Sequence, residues 1–148
     1  MIKLFGAMIA IMTAFAVIAG DRLPPQVGVK ALMQSAYCGS AEMGVEWLQG
    51  GKLYQQFAVG GSRLLLISMG QQRSAGYSLA LLSETTTVVD GQISIQVAWN
   101  SPPPGMMMAQ VVTRPCLLLA LTAQNYKGVQ VVDQTGALKM SLSQAVLE

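Results

Sequence analysis

The sequence has 148 residues but no histidine, only two cysteines and few charged side chains. Histidine is the commonest general base and the commonest metal ligand, so its absence removes the usual centres of hydrolytic and zinc chemistry. Two cysteines without histidine make neither a zinc site nor a cysteine protease. The formal net charge is only +2, with no basic run, which argues against nucleic acid as a partner.

The seven acidic residues are scattered and show no spacing typical of acid–base catalysis. Glu42 and Glu46 lie four residues apart, which on a helix would make only a solvated face. We therefore expect no enzymatic activity, no cofactor and no metal. A small hydrolase whose carboxylates meet only in the fold is the least favoured alternative.

The N-terminal segment has the layout of a secretory signal peptide. Lys3 provides the positive start, residues 4–18 are almost all apolar, and small residues precede Asp21. Val17 and Ala19 predict cleavage after Ala19. The alternative is an uncleaved anchor, although the apolar run is at the short end of the roughly 17–25 residues that span a membrane. We expect an exported protein, periplasmic or secreted, without stable membrane insertion after cleavage.

The predicted domain organisation is a signal peptide over 1–19, a lead-in segment over 20–44 and one β-rich domain over 45–148. The spacing of apolar residues in VKALMQSAYCGS is compatible with one helical face within the lead-in. Cys38 and Cys116 are the two cysteines, and export would allow them to form a disulfide. Two buried thiols are the alternative.

The remaining patterns predict strands. RLLLISMG is a continuous apolar run, typical of a strand that is buried on both sides. QISIQVAWN alternates, with Ile93, Ile95, Val97 and Trp99 on one face. Asp90-Gly91 is a hairpin signal, so GYSLALLS and QISIQVAWN should pair antiparallel.

The other segments of strand character are LYQQFAV, MMMAQVVT, CLLLALTA and VQVVDQTG. Three prolines at 102–104 keep a central strand out of the loop before the methionines. Short strands separated by turns predict an all-β fold, either a small antiparallel β-sandwich or a partly open barrel.

Residues 64–132 resemble the C-terminal domain of the protease-complex subunit PrcB family. The matching pattern is an apolar strand, a polar turn at 70–73 and a Thr-Gly-Gly-Tyr-like element at 74–77. A Pro-rich loop at 102–105 and a strand that leads into Arg114-Pro115 follow. The chain departs from the pattern at Ser74-Ala75, where Thr-Gly is expected, and at Cys116, where an aromatic residue is commoner.

The resemblance implies an exported, non-catalytic protein related to a subunit that accompanies a surface protease. A looser similarity links RSAGY and TRPC to two loops at one end of the immunoglobulin-like sandwich of chagasin-like cysteine-protease inhibitors, which implies an immunoglobulin-like form for this domain as well. That second similarity is an analogy of loops only.

Two loops are candidates for partner binding. RSAGY is either a turn that opens a strand or a recognition loop with Arg73 and Tyr77 as anchors. SPPPGMMM either blunts a sheet edge or offers a stiff, apolar contact surface. The predicted binding residues are Arg73, Ser74, Gly76, Tyr77, Pro103, Met106 and Arg114.

We therefore expect a domain that binds a protein partner in the cell envelope, with a protease as one candidate. The main alternative is an envelope structural or assembly protein that uses an exposed strand edge.

Overall fold

The computed structural model describes residues 23–123 and 126–143, which form two packed β-sheets and a short helix. The predicted signal peptide and its cleavage site lie outside the described residues. The expected small all-β sandwich is confirmed. In chain order the elements are β1 (Gln26–Ser35), β2 (Gly44–Leu48), α1 (Lys52–Phe57), β3 (Ser62–Ser68), β4 (Ser78–Leu81), β5 (Thr85–Thr87), β6 (Gln92–Asn100), β7 (Cys116–Thr122), β8 (Gly128–Val132) and β9 (Leu138–Ser143).

The two sheets have different connectivity. The five-stranded sheet has the order β2-β3-β7-β1-β5, and all of its pairs are antiparallel. The four-stranded sheet has the order β4-β6-β8-β9. Its β6–β8 pair is parallel. The sequence predicted an antiparallel sandwich, and this pair is the departure from it among the described strands. A parallel pair is possible because the chain crosses to the other sheet as β7 between these two strands.

The core lies between the sheets and is built from alternate residues of the central strands. Leu65 and Ile67 of β3, together with Leu117 and Leu119 of β7, are fully buried. The facing sheet contributes β6, where Ile93, Ile95 and Val97 are buried in the predicted alternation. Each such aliphatic side chain contributes about 1.5–3 kcal/mol by leaving water.

The outer face of the five-stranded sheet carries a second, smaller cluster. It contains Leu64, Leu66 and Leu118, so β3 and β7 are buried on both faces, as RLLLISMG predicted. Phe57 of α1 packs against this cluster. The short helix therefore covers apolar surface that would otherwise face solvent.

The predicted antiparallel pairing of GYSLALLS with QISIQVAWN is confirmed as β4 with β6. The Asp-Gly signal marks a tight turn, in which Asp90 has φ 52° and Gly91 has φ 76°. Val89 and Gln92 exchange two backbone hydrogen bonds of 2.9 Å across it. The turn itself joins β6 to the residues after β5, which belongs to the other sheet.

Three local expectations are wrong. The segment around 29–36 lies mostly in strand β1 rather than in a helix. β1 is a strand because its backbone pairs with β7, and it lies between β7 and β5 in the sheet. LYQQFAV is mostly helix α1, since Phe57 reaches the outer apolar cluster from a helical turn. MMMAQVVT is a loop rather than a strand. An isolated bridge between Thr113 and Gln72 pairs its end with the segment that follows β3.

Arg63 stacks on two aromatic rings at the side of the sandwich. Its guanidinium carbon lies 4.1 Å from the Trp47 ring centroid and 5.9 Å from that of Tyr126. Tyr126 is almost fully buried, and this burial raises the pKa of its hydroxyl, although the Arg63 charge opposes the shift. Burial therefore favours the neutral form of the Tyr126 hydroxyl.

No helix among residues 23–123 and 126–143 has the length and apolar character needed to cross a membrane.

Candidate functional site

Three loops meet at one end of the sandwich, which we call the loop end: residues 36–43, 69–77 and 101–115. They connect β1 to β2, β3 to β4, and β6 to β7. The register of the strands requires this meeting. Ser35 and Ser68, where β1 and β3 end, both lie opposite Cys116, where β7 begins.

Backbone hydrogen bonds join loop 69–77 to loop 101–115. Gln72 and Thr113 exchange two of them, of 2.8 and 3.0 Å, and the Ala75 N–H donates to the Ala109 carbonyl at 3.0 Å. Thr113 is buried, and its hydroxyl donates to the Ser74 carbonyl at 3.2 Å. These bonds replace a sheet ladder and hold two irregular segments in one arrangement.

The same two loops also approach each other closely at Gly76. Its φ of 98° lies in the region that favours glycine. A Cβ atom there would lie 2.6 Å from the Met108 methyl group and 3.1 Å from two ring carbons of Pro102. The glycine predicted for a recognition role therefore serves, in the first place, to let the proline-rich loop pack against RSAGY.

Loop 36–43 is fixed to the other two loops. Arg114 donates its backbone N–H to the Ala36 carbonyl at 2.7 Å, and its own carbonyl accepts from Gly39 at 2.9 Å. The structure also has a disulfide between Cys38 and Cys116, whose Cα atoms lie 5.5 Å apart, within the usual range for such bonds. The loop end is thus one cross-linked unit that stands on the start of β7.

Exposed apolar side chains are concentrated on this unit. Of the twelve large hydrophobic side chains exposed among the described residues, six belong to these three loops, and Met107 is 99% exposed. We call this set the apolar patch: Tyr37, Met43, Met106, Met107, Val111 and Val112. A concentration of exposed apolar side chains on one end is typical of an interaction surface rather than of a free monomer face.

The predicted binding residues all lie at this end, but they have different surroundings. Arg73, Pro103 and Met106 are exposed. Arg114 is exposed as well, and its guanidinium donates to the Gln71 side chain at 3.3 Å. Tyr77 is half-buried and packs against the core, as in the interpretation of RSAGY as a turn that opens a strand.

Ser74 takes part in the contacts between the loops. It is half-buried, its hydroxyl donates to the Ala75 carbonyl at 3.2 Å, and its own carbonyl accepts from Thr113. Its direct role is therefore to join the loops. Whether any of the seven residues contacts a partner stays a prediction.

Sequence reasoning named one of the six patch residues, and a second, Met107, lay in the candidate loop SPPPGMMM. Met106 was named, whereas Tyr37 lay in an expected helix, and Val111 and Val112 lay in an expected strand. A strand would have turned one of the two valines inward. In the observed loop both are exposed, at 45% and 55%.

The turn between β8 and β9 adds a charged neighbour to this end. Gln134 forms two hydrogen bonds with the backbone of Trp99, of 2.8 and 3.3 Å, near the end of β6. Asp133 accepts bonds from the Thr135 hydroxyl and from the Thr135 and Ala137 N–H groups. These bonds, the Thr135 hydroxyl first, lower the pKa of the Asp133 carboxyl, and Lys139 at 3.7 Å adds to the effect.

Within residues 23–123 and 126–143, no three side chains of Cys, Asp or Glu are grouped so that they could hold a metal ion. What the loop end offers is contact chemistry: methionines, a tyrosine and valines, with the arginines Arg73 and Arg114 on the same loops. Methionine, tyrosine and arginine are enriched in protein interfaces.

Residues 64–122, from β3 to β7, match the family model described as PrcB C-terminal. The match spans loop 69–77 and loop 101–115 in full, so it includes the packing of RSAGY against the proline-rich loop. No curated protein and no solved structure was found to match the chain. The match confirms, for the segment from β3 to β7, the similarity to the PrcB C-terminal domain that the sequence predicted.

Proposed function

We propose that this protein is an exported, non-catalytic accessory domain that binds a protein partner in the cell envelope through its loop end. A protease is the partner that the PrcB family name favours, since PrcB is a subunit of a protease complex. The family match supports the accessory role. The apolar patch is the single observation that carries the binding proposal.

The patch is suited to binding because it is exposed and also held in place. Its six side chains stand on three loops that are joined by backbone hydrogen bonds and by the disulfide. Little loop ordering would therefore be required on association, and that ordering is one of the main costs of forming a complex. The three exposed methionines can adapt their shape to an apolar partner surface.

The charges at this end suggest the character of the partner. Arg73 and Arg114 are exposed on the same loops, and Glu42 is the acidic residue of the three loops. The partner should thus present an apolar surface bordered by carboxylates.

The test begins with the mature protein as bait in an envelope extract of the source cells. A captured protein is then purified, and its affinity is measured for wild type and two double variants. Met107→Ser with Val112→Ser removes apolar area from the patch. Arg73→Ala with Tyr77→Ala tests the residues of RSAGY.

We expect the patch variant to weaken binding by about 100-fold, since hot-spot side chains cost 2 kcal/mol or more when truncated. Val89→Ser is the matched control, because Val89 is 61% exposed at the opposite end of the sandwich. It should leave the affinity unchanged. Equal affinity for wild type and patch variant, with all variants shown to be folded, would remove the loop end as the binding surface.

A further inference from the structure

We propose that the sandwich has a second binding surface, where an extended peptide of a partner protein adds as a strand to the free edge of β1. This surface runs along the side of the sandwich and reaches the loop end at Ser35. The inference does not depend on the function proposed for the loop end.

The edge is free because β5 is short. β5 pairs only with Gln26, Val27 and Gly28 of β1, although β1 continues to Ser35. The last link on this side is a 2.7 Å hydrogen bond from the Val29 N–H to the Glu84 carbonyl. Beyond it, no other strand among the described residues pairs with this side of β1.

The direction of the backbone groups follows from two bonds. Gly28 donates its N–H to the Thr122 hydroxyl on the β7 side, whereas Val29 donates to the opposite side. The N–H and C=O groups of consecutive strand residues point to opposite sides, so those of Val29 and Ala31 point to the same side. Because the register with β7 is regular from Val29 to Ala31, the N–H and C=O of Ala31 point to the free side.

The position that a longer β5 would occupy is open. Before Thr85 the chain turns away toward β4 in the other sheet, through Leu82 and Ser83. A groove of about 1020 Å³ lies along this edge. Lys30, Ala31 and Leu32 line one side of it, and Leu81 and Leu82 line another. The groove thus offers unpaired backbone groups beside apolar side chains.

This combination fits an extended peptide better than a compact ligand. In strand addition the main chain supplies affinity, and alternate side chains fill pockets. The free edge from Lys30 to Ser35 is about 20 Å long at about 3.3 Å per residue, the length of a peptide of about six residues. A bulge between Ala31 and Met33 interrupts its regular hydrogen-bonding pattern. The exposed part of Leu82, 48% of its surface, could be covered by the apolar side chains of such a peptide.

A second copy of this chain fits the edge less well. In an antiparallel pair of two identical β1 edges, the exposed Lys30 side chains of both copies would lie close to each other. Like charges on paired strands are destabilising, whereas an uncharged peptide brings no such charge.

The test uses fluorescein-labelled peptides of about six residues in which valine, leucine or phenylalanine alternates with threonine. Fluorescence anisotropy measures their binding to wild type, Leu82→Asp and Leu138→Asp. Leu138 is a matched control, since it is 58% exposed on β9, at the far edge of the other sheet. Both substitutions place a charge on an exposed leucine, so neither should unfold the protein.

We expect saturable binding of at least one peptide, weakened about tenfold or more by Leu82→Asp, which corresponds to about 1.4 kcal/mol, and unchanged by Leu138→Asp. The same peptide with alternate amides N-methylated on its pairing side should not bind, because it cannot donate to β1. Slower hydrogen exchange at the Ala31 amide in the complex would locate the new strand.

Three results would overturn the proposal. One is that no peptide of the set binds. Another is that binding persists in Leu82→Asp or with the N-methylated peptide, which would point to apolar contact elsewhere. The third is sedimentation of a wild-type dimer that Leu82→Asp dissociates, since a second copy would then occupy the groove.

Discussion

Replacing Gly76 with alanine tests the packing of RSAGY against the proline-rich loop. Two costs follow from the structure. An L-residue at φ 98° is strained, at about 1–2 kcal/mol. The new Cβ would also lie 3.1 Å from two Pro102 ring carbons, and overpacking of this kind costs typically 1–3 kcal/mol. The Met108 methyl group, although nearer at 2.6 Å, belongs to a flexible side chain that can move aside.

Gly105→Ala separates the two costs. Gly105 has a similar φ of 80°, but no atom lies within 4 Å of the position of its Cβ. This variant should therefore show only the backbone strain. Urea unfolding of both variants should place Gly76→Ala about 1 kcal/mol or more below Gly105→Ala, which is about 0.5 M in midpoint at a slope of about 2 kcal/mol/M.

If Gly76→Ala unfolds at the same urea concentration as Gly105→Ala, Pro102 does not pack against RSAGY. The loops would then not be one unit, and the preorganisation invoked for partner binding would be lost.

Two further predictions concern stability. Reduction with dithiothreitol should lower the free energy of unfolding by about 4 kcal/mol, because Cys38 and Cys116 are 78 residues apart. A Cys38→Ser, Cys116→Ala variant should not respond to the reductant, and equal stability of oxidised and reduced wild type would contradict the bond's role. Because the fold lowers the pKa of Asp133, its stabilising contribution is complete above the unfolded value of about 3.9 and is lost as pH falls through the lowered folded value. Asp133→Asn should therefore be less stable than wild type at neutral pH. The difference between their unfolding midpoints should become smaller below about pH 4. A difference that does not change with pH would refute a stabilising role for the Asp133 carboxylate.

The sequence predicted the core of the fold well, because burial there follows strand periodicity. The alternation in β6 and the continuous apolar run of β3 each reflect which faces are buried, so both strands were recognised. Asp90-Gly91 was informative for a local reason, since both residues adopt positive φ in a tight turn.

The failures have one physical origin, which is that tertiary contacts override a local pattern. Residues 29–36 show a helical spacing, yet most of them belong to β1, whose backbone pairs with β7 and β5. The segment 106–113 has strand propensity, but the prolines before it and the bonds of Ala109 and Thr113 to loop 69–77 keep it irregular. That irregularity creates most of the apolar patch, so the candidate site could be predicted by region but not residue by residue.

The central claim is that the loop end contacts a protein partner in the cell. A photoreactive phenylalanine analogue at Met107, and in parallel at Val89, would test it by cross-linking in living source cells. Met107 lies in the apolar patch, whereas Val89 is also exposed but at the opposite end. The account predicts a discrete cross-link to a different protein from position 107 and none from position 89. Absence of any cross-link at position 107, or the same product from both positions, would contradict it.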